Sequence, residues 1–305
     1  MEVRELPRMD PPNVLLFAGT YALALASYGL LSTLPDTHDS LWVFVAALVF
    51  LVAYGAASWF LLREGWWIPG GLAAALAVAM VPAVAVGLFR LVGVWDNAFP
   101  LTTFNGWAVA AAVLTALAGL VAFALTRFSF LLATVAGSLI ATSQLVAVAG
   151  HGASGDERAT AALACGGLLV VVGIFLDAFG RRRDAFWFHA LGWFSAGAGL
   201  VFFTLEPSGD PNRGWIPMLI LGTVLVLVSA PIRRATWAVY GVLGYYAPIV
   251  HFLQQGLNEN RWTFGLALLA VALSIFVTGM LQQRFGAAWG QRFVRRPPPG
   301  VALIP

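Results

Sequence analysis

The chain has 305 residues, of which 60% are hydrophobic and only 10% charged, with a mean hydropathy of +0.84. A soluble domain carries about 25% charged residues, so this composition excludes a water-soluble globular protein. The net charge of +3 comes from arginine alone, because the chain has no lysine, and its scatter over short segments excludes a basic nucleic-acid-binding face.

The apolar residues fall in runs of about 20, the length that crosses a hydrocarbon core of roughly 30 Å. A transmembrane β-barrel needs alternating runs of about 10 residues, and nothing in this sequence alternates. The predicted fold is therefore all-α, a polytopic transmembrane helix bundle. Its ten spans are expected near residues 13–34, 41–62, 68–88, 106–125, 128–148, 160–179, 186–205, 215–230, 237–253 and 262–281. Residues 1–12 form a cytoplasmic N-terminal segment, 13–283 the ten-helix domain, and 284–305 a basic, proline-rich cytoplasmic tail. The stretch "ALALAS" imitates a cleavage site, but the residues before it balance two arginines against Glu2, Glu5 and Asp10. A signal peptide starts clearly positive, so the first span is read as retained.

Arginine placement orients the bundle. With the N-terminus inside, the cytoplasmic segments hold Arg4, Arg8, Arg63, Arg127, Arg181, Arg182, Arg183, Arg233, Arg234, Arg284, Arg292, Arg295 and Arg296. The outer segments hold only Arg90, Arg158, Arg213 and Arg261. Positive charge in short loops stays on the cytoplasmic side, and an even span count then puts both termini inside. Four inner turns repeat one pattern, arginine, two residues, aromatic: "REGW", "RFSF", "RDAF" and "RATW". They read as interfacial anchors, guanidinium toward anionic headgroups and ring at the interface, or as the trace of a duplicated hairpin. The topology anchors are Arg63, Arg127, Arg181, Arg182, Arg183, Arg233 and Arg234. Glycines at 70, 71, 119, 137, 166, 167, 192, 197, 199, 241 and 244 read as helix-packing positions, since small residues let membrane helices approach closely.

Ionisable groups within spans are costly and mark candidate sites. Asp177 lies four residues before Arg181, which would place both on one helical face as an interfacial ion pair. His189, one turn into the seventh span, is within reach of Asp177 across the arginine-rich turn, and the two form a candidate proton-holding or polar pair. The outer half offers a second group. Arg90 follows a span containing Pro82. Gln144 lies in the outer half of span five. Span nine reads "GYYAPIVHFLQQG", in which Pro248 removes a backbone donor and His251 and Gln255 share a face. Arg90, Gln144, Tyr245, His251 and Gln255 are the candidate lining of an outward-facing polar cavity, since many transporters build a site around a broken helix.

The tetrapeptide "GASG" matches the G-x-S-G of rhomboid-type intramembrane serine proteases, with His251 as the nominal base. Asp156, Glu157 and Arg158 follow at once, which places Ser154 in an external loop, and His251 is on a span running the opposite way. No catalytic residue is assigned. The chain has no H-E-x-x-H, P-loop or C-x-x-C, and its single cysteine, Cys165, excludes an intrachain disulfide. No metal or cofactor is expected.

The stretches "FLDAFGRRRDAFWFHALGWFSAGAGL" and "IRRATWAVYGVLGY", with the aliphatic last span, resemble uncharacterised bacterial multi-pass membrane proteins known as conserved domains of unknown function. That resemblance covers just over a third of the chain and implies a membrane fold without an activity. Ten helices with both ends inside is similar in architecture to the drug/metabolite transporter superfamily, although no inverted repeat relates the two halves. The expectation is a non-enzymatic multi-pass protein of a bacterial inner membrane, a small-solute permease or channel. The alternative is a scaffold or accessory subunit, and more remotely an intramembrane enzyme. Its partners would be the bilayer, anionic headgroups at the cytoplasmic face and a small solute, with no nucleic acid.

Overall fold

The computed structural model describes residues 11–33, 40–95, 104–149, 155–205, 212–232, 234–257 and 261–293. Ten α-helices account for nearly all of them: α1 (Pro11–Thr33), α2 (Ser40–Arg63), α3 (Trp67–Leu91), α4 (Gly106–Thr126), α5 (Leu131–Ala147), α6 (Gly155–Ala178), α7 (Arg182–Leu205), α8 (Trp215–Ile232), α9 (Ala235–Leu257) and α10 (Arg261–Phe293). Eight of these are long and apolar enough to cross a membrane. The other two are α5 and α9. At 17 residues, α5 spans about 26 Å at 1.5 Å per residue, a little under the hydrocarbon thickness. Helix α9 has 23 residues, but its two glutamines, its histidine and its tyrosines dilute its apolar character.

The helices form two compact units, residues 1–192 and 193–305. In the first, α3 is the central element and packs on α1, α2, α4 and α5. Its first half is walled in because Gly70, Gly71, Ala73, Ala74 and Ala75 are small enough to bring neighbours close. The largest core cluster joins Leu72 and Val78 of α3 to Phe128 of the turn before α5, Leu131 and Leu132 at the start of α5, Leu169 of α6 and Phe188 of α7. A second cluster joins Leu31, Ala47 and Met80. In the second unit α8 packs on α9, and α10 packs on both.

Outward faces are as apolar as the core. Leu125 is 79% exposed, and α10 presents Leu266, Leu269, Leu273 and Phe276. In water such faces would aggregate; against acyl chains they are matched. The protein is a multi-pass helical membrane bundle.

Three of the described helix ends carry left-handed glycine caps. At Gly65 (φ +83°), Gly93 (φ +73°) and Gly180 (φ +75°), two backbone bonds close each helix end in the Schellman pattern. At the last of these Gly180 donates to Asp177 O at 2.9 Å and Arg181 to Leu176 O at 2.8 Å. The fourth left-handed cap is not glycine. Arg127 sits at φ 57° and donates to Phe123 O at 2.7 Å. A non-glycine residue there costs roughly 1–2 kcal/mol, against about 0.5–1 kcal/mol of extra chain entropy for glycine. Because the Arg127 side chain is exposed, Arg127→Gly is expected to raise stability by about 0.5–1 kcal/mol, read as a higher unfolding temperature in detergent.

Three sequence expectations are revised. Helix α6 starts at Gly155, so Asp156, Glu157 and Arg158 stand in its first turn rather than in a loop. Acidic groups there favour the positive end of the helix dipole. Helix α10 continues past residue 283 to Phe293. Pro248 does not break α9, which runs unbroken from Ala235 to Leu257 with Pro248 fully buried.

Candidate functional site

The best-defined polar constellation lies where α6 hands over to α7. The Gly180 cap turns the chain sharply, and Arg181 closes the turn through an ion pair with Asp184, 2.8 Å from Nε and 2.7 Å from a terminal guanidinium nitrogen. The guanidinium also lies over the Phe123 ring, 5.5 Å from its centroid. The expected Asp177–Arg181 pair is not formed. It presumed an unbroken helix, and the left-handed residue at 180 takes Arg181 off the face that carries Asp177.

Asp177 instead meets His189. His189 Nε2 is 2.9 Å from Asp177 Oδ2, with the imidazole fully buried and the carboxylate side chain 20% exposed. With a carboxylate as acceptor, Nε2 carries the proton. The ring lies against Gly173, where a Cβ would come within 2.9 Å of Cε1, 3.0 Å of Nδ1 and 3.1 Å of Nε2. Near-equal distances to three ring atoms mean that the ring face, not its edge, covers the glycine. Gly173 and Asp177 are one turn apart on α6 and share a face. Together they make a slot with a flat floor and an acceptor at one end. One turn further along α7, Gly192 sits against Val170 and the Gly166 carbonyl of α6, which fixes the depth of the slot. The sequence pointed to Asp177 and His189 but not to Gly173; its spacing from Asp177 was the available signal.

The five groups nominated for a polar cavity fall in different units. Arg90 is exposed in the last turn of α3 and Gln144 is half-buried near the end of α5. Gln144 Nε2 donates to the Arg158 carbonyl at 3.3 Å. In the second unit, Tyr245 is half-buried on α9. His251 Nε2 and Gln255 Nε2 are 2.9 Å apart, and the His251 ring stacks on Trp215 at 4.3 Å and 16°. Two of the cavities are each defined by described residues of a single unit. One of about 380 Å³ is lined by Gly197, Val201, Met218, Gly222, Tyr240 and Gly244, among others. The other, of about 750 Å³, lies between α2, α3 and α4. None of the five nominated residues lines either.

The aromatics of the four arginine-led turns differ in their surroundings. Trp66 is 62% exposed. Phe130 packs edge-on to Phe17 and Trp187, Phe186 lies edge-on to Trp187 and is partly exposed, and Trp237 is buried against Trp193. Of the anchor arginines, Arg63, Arg127, Arg181, Arg182 and Arg183 are exposed and Arg234 is half-buried. Arg233, Ser154 and residues 294–305 lie outside the described residues. Among the described residues no group of three or more His, Cys, Asp or Glu side chains could hold a metal ion.

No family model, no curated protein and no solved structure matches the chain. The resemblances to uncharacterised bacterial membrane proteins and to the drug/metabolite transporter superfamily gain no support from these comparisons.

Proposed function

We propose that this multi-pass membrane protein is a non-catalytic scaffold or accessory subunit of a membrane complex rather than a permease. The observation that carries the reading is how its polar side chains are used. Gln144 bonds a backbone carbonyl, and His251 bonds Gln255 while stacking on Trp215. A permease keeps such groups for a solute; in this chain neighbours in the same unit take them. The arginine distribution supports placement in a bacterial inner membrane with both termini in the cytoplasm and anionic headgroups at that face.

A second reading, a proton-coupled small-solute permease or channel, draws on the Asp177–His189 pair, since an intramembrane carboxylate beside an imidazole can hold and pass a proton. One experiment separates the two. Proteoliposomes holding the full chain are loaded against labelled sugars, amino acids, nucleosides and monovalent cations, with and without a proton gradient. The scaffold reading expects no protein-dependent uptake. Uptake that depends on the protein and is lost in His251→Ala or Asp177→Asn would replace it with the permease.

A further inference from the structure

We propose that the crevice bounded by α2, α3 and α4 binds one anionic phospholipid, an acyl chain lying along its small-residue walls and the phosphate meeting Arg63 at its mouth. The crevice is lined by the last turns of α2 and α4 and by Ala74, Ala77 and Val78 of α3. Its volume of about 750 Å³ falls within the range of ligand sites, about 300–1,000 Å³. Along α2 it runs from Gly55 to Arg63, about 12 Å at the helical rise.

The walls suit a hydrocarbon chain and nothing polar. Gly55, Ala74, Ala77 and Ala122 leave the space open, and a Cβ built on Gly55 meets no atom within 4 Å. The hydroxyls in the lining are already engaged. Ser58 donates to the Gly70 carbonyl at 2.8 Å. Thr126 donates to the Ala122 carbonyl at 2.8 Å and accepts from Phe128 N–H at 3.3 Å. A polar solute entering would lose its hydration without replacement, which is costly; an acyl chain would lose nothing.

The mouth has the opposite character. Arg63 ends α2, is exposed, and lies over the Trp59 ring at 5.2 Å. Among the described residues it has no carboxylate partner; the adjacent Glu64 makes no ion pair with it. A guanidinium is a fork suited to two phosphate oxygens, and Trp59 holds it in place from one side. Trp59 and Trp66 are 63% and 62% exposed, as befits rings at headgroup depth. A cation with no carboxylate partner among the described residues, set above an apolar shaft, fits a lipid with net negative charge better than a zwitterionic one, which brings its own cation. The apolar shaft separates a lipid from a free phosphate.

The test uses the delipidated full chain in detergent, observed by native mass spectrometry. Phosphatidylglycerol, phosphatidylcholine with the same chains, and glycerol phosphate are added in turn. One phosphatidylglycerol should be retained about fivefold more tightly than phosphatidylcholine, the factor given by roughly 1 kcal/mol per arginine at the surface. Glycerol phosphate should not be retained. Arg63→Gln, at an exposed position, should equalise the two lipids. Gly55→Leu, which fills open space, should weaken both. Equal retention of the two lipids by the wild type, an undiminished preference in Arg63→Gln, or retention of glycerol phosphate alone would overturn the proposal.

Discussion

Gly222→Ala is expected to destabilise the second unit severely, while Gly244→Ala on the facing helix is expected to be nearly silent. The two glycines mark one crossing of α8 and α9, but they do not occupy it equally. A Cβ on Gly222 would lie 2.4 Å from the Gly244 carbonyl carbon and 2.4 Å from the Tyr245 nitrogen. Both are backbone atoms of a helix and cannot swing aside. A Cβ on Gly244 would lie 3.2 Å from the Gly222 Cα, a contact that a small shift relieves. Membrane helices gain nothing from hiding apolar surface from lipid, so close backbone approach supplies much of their attraction. Forcing α8 and α9 apart forfeits it. Overpacking costs about 1–3 kcal/mol, and the rigid neighbour puts Gly222→Ala at the upper end, with Gly244→Ala below about 1 kcal/mol. Denaturant titration of the two variants in mixed micelles gives both values. Equal tolerance at the two positions would refute this asymmetric crossing. Because Gly222 and Gly244 also line the cavity of about 380 Å³, the severe variant should reshape that cavity as well.

The helices themselves were legible because each is a predominantly apolar run and eight of the ten are long and apolar enough to cross a bilayer, and composition is enough to locate such runs. Their ends were legible only where hydropathy and helicity coincide. At α6 the charged residues Asp156, Glu157 and Arg158 suggested a loop, yet acidic side chains at a helix start are favourable, and the helix begins before them. At α10 the helix outlasts its apolar stretch, which ends at Leu281. Packing faces were harder. Gly192 and Gly241 press on neighbouring helices and Gly71 on the Phe128 ring of the turn between α4 and α5, but Gly137, Gly167 and Gly197 face open space. The sequence treated them alike, because the partner face of a glycine is a property of two helices. The same limit applies to the polar groups. The spacing of His251 and Gln255 showed that they share a face; it could not show that they bond each other. Asp177 and His189 were within reach because the turn between them is short, while the Asp177–Arg181 pair failed because Gly180 ends the helix between them.

Asp177→Ala and His189→Leu are each expected to cost about 1–3 kcal/mol, and the double variant clearly less than their sum. Each single change removes one side of a bond 2.9 Å long whose imidazole is fully buried, and a buried donor or acceptor that loses its partner keeps its desolvation cost. Removing both at once removes that cost, so the coupling in a double-mutant cycle should be about 1–2 kcal/mol. Additive losses would mean that the pair does not hold α6 to α7. Asp177→Asn refines the result. Its side-chain oxygen can still accept from Nε2, so a purely fastening pair should recover most of the stability lost in Asp177→Ala. Gly173→Ala approaches the same bond from the other side. Its methyl would press within 2.9 Å of the ring, lifting the imidazole from its floor and away from the carboxylate. A loss in Gly173→Ala that disappears in the His189→Leu background would show that the glycine serves the histidine. A loss that persists there would mean that Gly173 is needed for helix approach alone.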